Sequence, residues 1–378
     1  MKAMKINDFD YYLPEKLIAQ SSTEPRDCSR LMVLRRNLGQ IEHQHFYNIV
    51  DYLRSGDVPV LNQTKVFKAR LKAKIDNSQR QIEVFLLRSV DGQWEALLGG
   101  ARHTDIGSKL IFNDQLRAEV ISKDFEVGSA YLKFYQSDDQ VLDYCQQYGS
   151  IPVPPYVKNQ PEKLEQYQTV YAKETGSVAA PTAGFHFTIE LLEKIKNMGV
   201  RIEYITLHVG VGTFRPVKTE IVEGHVMHSE YVEIDEQTAK SIRLAKQEGR
   251  RIIAVGTTTT RALEGVALQD PLHPSLWRAS EWHSQLPLRK GERLDSPPYE
   301  GGGRGGCEGY SGDINIFIKP GFEFKIIDGL ITNFHLPKST LLILVSALAG
   351  NDLIKKAYNQ AIELEYKFYS FGDAMFII

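Results

Sequence analysis

Several things are scarce in this sequence. Its three cysteines, Cys28, Cys145 and Cys307, stand far apart with no Cys-x-x-Cys pair. That excludes a disulfide scaffold and a cysteine-built structural zinc site, and it fits thiols kept reduced. Net charge is nearly absent. Lys plus Arg number 45 against 47 Asp plus Glu, leaving −2, so the chain does not coat nucleic acid by bulk charge, although a local basic patch is compatible with it. Long apolar runs are missing too. The longest, residues 341–350 (LLILVSALAG), is about half the roughly 20 residues of a membrane span. The start, Met1-Lys-Ala-Met-Lys5, has no apolar core of the signal-peptide kind. A soluble, cytoplasmic protein is expected.

What is present is globular in character. Hydrophobic residues make up 42% and charged residues 24%, which excludes disordered and fibrous classes. The 378 residues suggest two domains, at roughly 150 residues each.

Texture divides the chain. A helix-like stretch, Gln44 to Tyr52, leads through Gly56 to a short strand at Val58 to Leu61. From 64 to 150 short alternating segments follow one another (69–75, 82–87, 94–98, 131–135), separated by turns such as Asp91-Gly92. Strands at this spacing without long helical patterns read as a small barrel or sandwich. The prolines of Ile151-Pro-Val-Pro-Pro155 stiffen the exit.

From 151 the pattern is α/β. Thr188 can cap a helix carrying Leu191, Leu192 and Ile195 that stops at Gly199, and Asp235 one that stops at Gly249. Each is followed by a strand. The expected architecture is an α/β domain, 1–63 plus 151–378, interrupted by a β-barrel domain at 64–150. Ser280 to Gly309 breaks this texture with seven of the 29 glycines and Pro297-Pro298. It reads as a disordered surface insert, since it cannot bury enough apolar surface to offset its ordering entropy, and no Gly-Lys-Ser/Thr closes the glycine run into a phosphate loop.

Five segments can carry chemistry. Lys68, Arg70, Lys72 and Lys74 alternate with Ala69, Leu71, Ala73 and Ile75. A strand puts the cations on one face roughly 6.6–7 Å apart, a spacing that can track phosphates or simply face solvent. In Gly176-Ser-Val-Ala-Ala-Pro-Thr-Ala-Gly-Phe-His186, small residues allow backbone to approach a ligand, with His186 just before a helix. Leu207-His-Val-Gly-Val-Gly-Thr-Phe-Arg215 ends a strand in a glycine-spaced loop, where His208 can act and Arg215 can clamp a carboxylate or phosphate. Val255-Gly-Thr-Thr-Thr-Thr-Arg261 lines a strand-to-helix turn with hydroxyls suited to ribose or carboxylate, of which one serves as an ordinary cap. Asn333-Phe-His335 precedes a cap at Ser339. His225 and His228 lack the companions of a metal site, and Asp373 reads as part of a structural turn.

These blocks resemble the S-adenosylmethionine:tRNA ribosyltransferase-isomerases of the queuosine pathway. The likeness begins at Phe9 to Gln20 and Arg26-Asp-Cys-Ser-Arg-Leu31. It runs through Pro154-Pro-Tyr156, Tyr167 to Ala172, the 177–188 and 208–216 blocks and Met227-His-Ser-Glu-Tyr231. It closes with Val255 to Glu264, Asn333 to Gly350 and Tyr369 to Ile378. Two departures stand out: Asn62-Gln-Thr64 replaces the family's Asn-Asp-Thr, and the glycine-rich insert is extra.

The resemblance implies an α/β domain interrupted by a barrel, and an enzyme with no metal and no permanently bound cofactor. Its co-substrate S-adenosylmethionine would give its ribosyl group to 7-aminomethyl-7-deazaguanine in a tRNA anticodon stem-loop. The group is isomerised to the epoxycyclopentanediol as adenine and methionine leave. With it go expected roles. His186 or His208 transfers protons, Arg215 clamps an anion, and Glu230 faces the sulfonium or the amine. Thr257, Thr258, Thr259, Asn333 and His335 hold the co-substrate, and Lys68, Arg70, Lys72 and Lys74 contact RNA. A monomer is expected. A methyltransferase would instead show an early glycine-rich βα turn. A purely RNA-binding module would leave the Gly/His/Thr blocks unexplained.

Overall fold

The computed structural model describes residues 4–76, 78, 80–124, 128–210, 219–225, 227, 229–269 and 309–378. The expected insert therefore lies outside the described residues, Gly309 apart. The chain forms two compact units. One takes the described residues of Met1–Gln63, Thr182–Leu207 and Pro216–Ile378; the other takes those of Thr64–Pro181 and His208–Arg215.

The first unit is built on a mixed sheet of nine strands among the described residues. In chain order these are β1 (Arg30–Arg35), β2 (Gln40–His45), β3 (Val58–Asn62), β12 (Glu203–His208), β13 (Glu230–Ile234), β14 (Ile252–Val255), β15 (Tyr310–Ile314), β16 (Gly329–Asn333) and β17 (Ala374–Ile377). The spatial order is β15-β13-β12-β3-β14-β16-β17-β1-β2. The pairs β12/β3, β3/β14 and β14/β16 are parallel. Every residue of β3, β14, β16 and β17 is buried. Such continuous apolar runs are what strands covered on both faces require. The parallel strands bring Asn62, the Val255–Thr257 turn and Asn333 to one edge of the sheet.

Local chemistry explains the helices. Thr188 Oγ1 accepts from Leu191 N (3.1 Å) to cap Ile189–Asn197, and Gly199 leaves that helix at φ +79°. Asp235 Oδ1 accepts from Thr238 N (2.7 Å) and Ser339 Oγ from Leu342 N (3.2 Å), capping Glu236–Gln247 and Thr340–Ala349. One reading fails. Gln44 to Tyr52 is not an α-helix: Gln44 and His45 finish β2, paired with Leu31 and Arg30, and only Phe46–Asp51 turns, as a 3₁₀ segment. Pairing along β1 decides this, and a local pattern cannot report it.

In the second unit six antiparallel strands close a barrel in the order β10-β7-β6-β5-β8-β9. They are β5 (Arg70–Ile75), β6 (Gln81–Val90), β7 (Gln93–Leu98), β8 (Lys109–Ile111), β9 (Arg117–Asp124) and β10 (Ser129–Phe134). Buried residues inside include Ala73, Ala96, Ala118 and Ala130 beside Leu71, Val84, Trp94 and Leu132. Trp94 Nε1 donates to Asp138 Oδ1 (2.7 Å) at the start of the helix Asp138–Tyr148. This unit runs on to Pro181 because β11 (Glu174–Ser177) pairs in parallel with β4 (Thr64–Val66), and Gln168 brackets Val66 through both backbone groups.

A buried carboxylate fixes the approach to β16. Glu264, on the helix Thr257–Gln269, accepts backbone amides from Lys325 (2.8 Å), Ile326 (2.9 Å) and Ile327 (3.0 Å). Burial pushes its pKa up while the amides oppose that shift. Glu264→Gln turns an acceptor into a donor facing these amides. It should lower the unfolding free energy in urea by about 1–3 kcal/mol, the cost of a buried polar group left unmatched.

Candidate active site

The polar residues at the carboxyl edge of the first unit's sheet form a linked set. The 3₁₀ turn Thr182–His186 carries His186, which is fully inside. Thr182 Oγ1 donates to Asn333 Oδ1 (3.3 Å), and Asn333 Nδ2 donates to His186 Nε2 (3.1 Å). With Nε2 accepting, the neutral ring carries its proton on Nδ1, which donates to Ser29 Oγ at 2.7 Å. Phe46 stacks on the ring at 5.0 Å between centroids. Burial, with the Arg26 charge adding to it, depresses the His186 pKa to about 3. This imidazole is neutral and its lone pair is spoken for, so it suits holding Ser29 and Asn333 in place better than exchanging protons.

The hydroxyl turn is adjacent. An added Cβ on Gly256 would lie 3.8 Å from Ala183 Cβ and 3.5 Å from Thr258 Oγ1, and Gly256 has φ +97°, a conformation for glycine. Thr259 Oγ1 donates to Val255 O (2.7 Å) and Thr260 Oγ1 to Gly256 O (3.2 Å), closing the first helical turn from within. Thr257 and Thr258, both buried, face the helix start without such bonds among the described residues. Arg261, one turn on, meets Glu230 of β13 at 2.5 Å, both nearly inaccessible. Glu230 is therefore one half of a buried ion pair.

His335 is held on three sides. Its Nε2 and Thr332 Oγ1 are 2.9 Å apart, its N donates to Tyr358 Oη (2.9 Å), and its O accepts from Tyr11 Oη. Burial lowers its pKa to about 3. Asp373 takes Arg30 N (2.8 Å) on Oδ1 and Lys367 N (2.7 Å) on Oδ2, which makes it the structural turn its sequence suggested. Asn62 bonds both backbone groups of Leu207, and Gln63 Nε2 donates to Thr206 Oγ1 (3.3 Å), a bond that an aspartate at this position could not donate.

His208 belongs to the second unit. Its Nδ1 and Thr64 Oγ1 are 2.8 Å apart. A Cβ on Gly176 would lie 2.6 Å from its Cε1 and Nε2, so the ring fits only against a glycine. Burial lowers its pKa while the Glu174 carboxylate works the other way. Arg215 and His228 lie outside the described residues. Among the described residues no group of three or more His, Cys, Asp or Glu is placed to hold a metal ion.

Of the basic row, Arg70, Lys72 and Lys74 sit on β5, alternating with buried Leu71, Ala73 and Ile75 as the pattern required. Lys68 precedes the strand and donates to Gln146 O (2.9 Å). Arg70 pairs with Glu83 at 2.8 Å and lies 4.6 Å over the Phe85 ring. Lys72 and Lys74 are exposed, with Glu83 and Gln81 opposite them on β6.

Ser29, Thr182 and Arg26 are the residues that sequence reading missed. Ser29 and Arg26 were visible only as letters in a family-like block, and Ser29 meets a partner 157 positions away.

The two buried neutral histidines make stability depend on pH. In the unfolded chain both take protons near pH 6.5; in the folded chain neither does until about pH 3. The unfolded state thus binds more protons in this window, and their contribution, complete above pH 6.5, is lost as the pH falls. Unfolding free energy should drop by up to about 1.4 kcal/mol per pH unit for each histidine. Urea titrations of the parent and of His335→Gln should give a shallower slope in the variant.

Comparison with known proteins agrees with this architecture. The profile of the family described as "Queuosine biosynthesis protein" matches residues 6–377. The S-adenosylmethionine:tRNA ribosyltransferase-isomerase of Thermosipho africanus (strain TCF52B) is 48% identical over 376 residues, 99% of this chain and 100% of the relative. That of Thermoanaerobacter sp. (strain X514) is 47% identical over 379 residues, with the same coverage. The crystal structure of S-adenosylmethionine tRNA ribosyltransferase from Thermotoga maritima is 35% identical, with a TM-score of 0.52, covering 98% of this chain and all of the other. A barrel-interrupted mixed sheet and likeness along the whole sequence lead to one assignment: the chain belongs to the queuosine biosynthesis protein family.

Proposed function

We propose that this chain is an S-adenosylmethionine:tRNA ribosyltransferase-isomerase. It moves the ribosyl group of S-adenosylmethionine to the aminomethyl group of 7-aminomethyl-7-deazaguanine in a tRNA anticodon stem-loop and isomerises it. The products are epoxyqueuosine-tRNA, adenine and methionine. The observation that carries this reading is the near-half identity, over 99% of the chain, to curated relatives bearing that name.

The chemistry sets demands that the residues can meet. The sulfonium makes the neighbouring C5′ protons acidic, so a neutral base is wanted. His208, whose pKa burial lowers, is the better candidate, while His186 holds Ser29 and Asn333 in place. Adenine departs with a proton or a hydrogen bond at the purine, which Asn333 can supply. Thr257 and Thr258 at a helix start suit ribose or carboxylate oxygens, while Thr259 and His335 support the turn and the strand end. Glu230 acts through Arg261, and Arg215 is the anion clamp. The accepting amine must be unprotonated, which a partly desolvated site favours. The co-substrate brings the reactive sulfonium, and no resident metal or cofactor is part of this proposal. Work in the cytoplasm as a monomer completes the reading; no described helix is long and apolar enough to cross a membrane.

Purified protein incubated with S-adenosylmethionine and a stem-loop carrying the aminomethyl-deazaguanine base should release one adenine and one methionine per heavier nucleoside formed. S-adenosylhomocysteine in their place would indicate methyl transfer, and binding without release an RNA-binding module.

RNA contact falls to the exposed lysines of β5. Lys72→Ala and Lys74→Ala should each weaken stem-loop affinity at low salt and reduce the slope of log K against log salt by about 0.7–0.9. Arg70→Ala, which already faces Glu83, should change the slope less. Unchanged slopes in both lysine variants would leave β5 a passive surface.

A further inference from the structure

His208 differs from the other two candidate histidines in one respect. His186 and His335 are buried, whereas His208 keeps accessible surface. Its ring is nevertheless held firmly, by three short stretches of the second unit.

The strand β4 supplies the first hold. Thr64, wholly buried, brings its Oγ1 to 2.8 Å from His208 Nδ1. The second comes from β11. Its parallel register sets Glu174 against Thr64 and Thr175 against Lys65, then passes to Ser177 against Val66, so Gly176 is an extra residue in a bulge. A Cβ on Gly176 would lie 2.6 Å from both Cε1 and Nε2 of His208 and 3.0 Å from Cδ2. Near-equal distances to three ring atoms put that point over the face of the ring and not at its edge. Gly176 is therefore a flat seat for the imidazole, in a space that even a methyl group would close. Ser177 makes the third hold. Its Oγ accepts from Val209 N (3.0 Å) and donates to Ala179 O (2.7 Å), which ties the backbone next to His208 to the same stretch.

Resting on the functional reading above, in which His208 is the base, we infer that Thr64 is its positioning residue. The Thr64 Oγ1 accepts from His208 Nδ1–H, and Gly176 keeps the ring at the angle this bond needs. A neutral imidazole carries one proton, so the bond at Nδ1 places the lone pair on Nε2. The proton transfer then balances. The C5′–H bond of S-adenosylmethionine breaks, its electron pair stays on the carbon beside the sulfonium, and the proton goes to Nε2. The Nδ1 proton stays with Thr64, which touches no substrate. The opposite tautomer would present a protonated Nε2 that can accept nothing.

Nitrogen NMR of protein labelled with ¹⁵N-histidine reads the tautomer directly, with the His208 signals identified by their loss in His208→Gln. The parent ring should be protonated on Nδ1 and bare on Nε2. Thr64→Val keeps the shape of the side chain and removes the hydroxyl. It should shift these signals toward a mixture of tautomers and lower kcat about 10–100-fold, with KM for S-adenosylmethionine within about threefold of the parent. Thr64→Ser should restore both the signals and the turnover, and Gly176→Ala should disturb both. Circular dichroism and thermal midpoints check that each variant is folded. A parent ring protonated on Nε2 overturns the inference, even where Thr64→Val does not fold. Unchanged His208 signals or parental kcat in folded Thr64→Val overturn it as well. Failure of the functional reading looks different: the parent releases no adenine, whichever tautomer the ring holds.

Discussion

One imidazole ties the candidate site together. His186 meets Ser29 on one nitrogen and Asn333 on the other, and Asn333 reaches on to Thr182. Each bond joins residues 147 to 157 positions apart, and each satisfies a group that burial would otherwise penalise. The arrangement closes only if the ring is neutral with its proton on Nδ1. The polar edge of the sheet is thus set by a protonation state as much as by packing.

The buried charges of the first unit follow the same logic. Glu230 lies against Arg261, Glu264 gathers three backbone amides, Asp373 gathers two, and Asp57 pairs with Arg251 at the amino end of β3. Each charged group is compensated by a partner from another segment. Removing one partner of a buried pair leaves the other uncompensated, typically at a cost of about 3–5 kcal/mol. Distinctive blocks in the sequence therefore include residues that hold the site together as well as residues suited to touching a substrate.

How much of this was legible follows from what a local pattern can record. The β5 alternation, the Thr188 and Asp235 caps and the glycine stops at 199 and 249 are local events, and each was readable from neighbouring letters. Gln44 to Tyr52 misled because strand pairing with β1 overrides its helical spacing. The threonine run announced a hydroxyl-lined turn but could not show that Thr259 spends its hydroxyl on Val255. Lys68 and Arg70 looked like free cations until Gln146 and Glu83 came into view. Ser29 and Arg26 gave no local signal, since what makes them interesting is a partner from distant chain.

The barrel interior carries a consequence of its own. Alanines on β5, β7, β9 and β10 face inward beside Trp94 and leave the lumen filled with side chains. A filled lumen admits no guest molecule, so whatever this unit contributes to recognition must be written on its outer residues. Core and surface are then separable features: the outer face of β5 can be redrawn, lysine by lysine, without disturbing the packing that keeps the barrel closed.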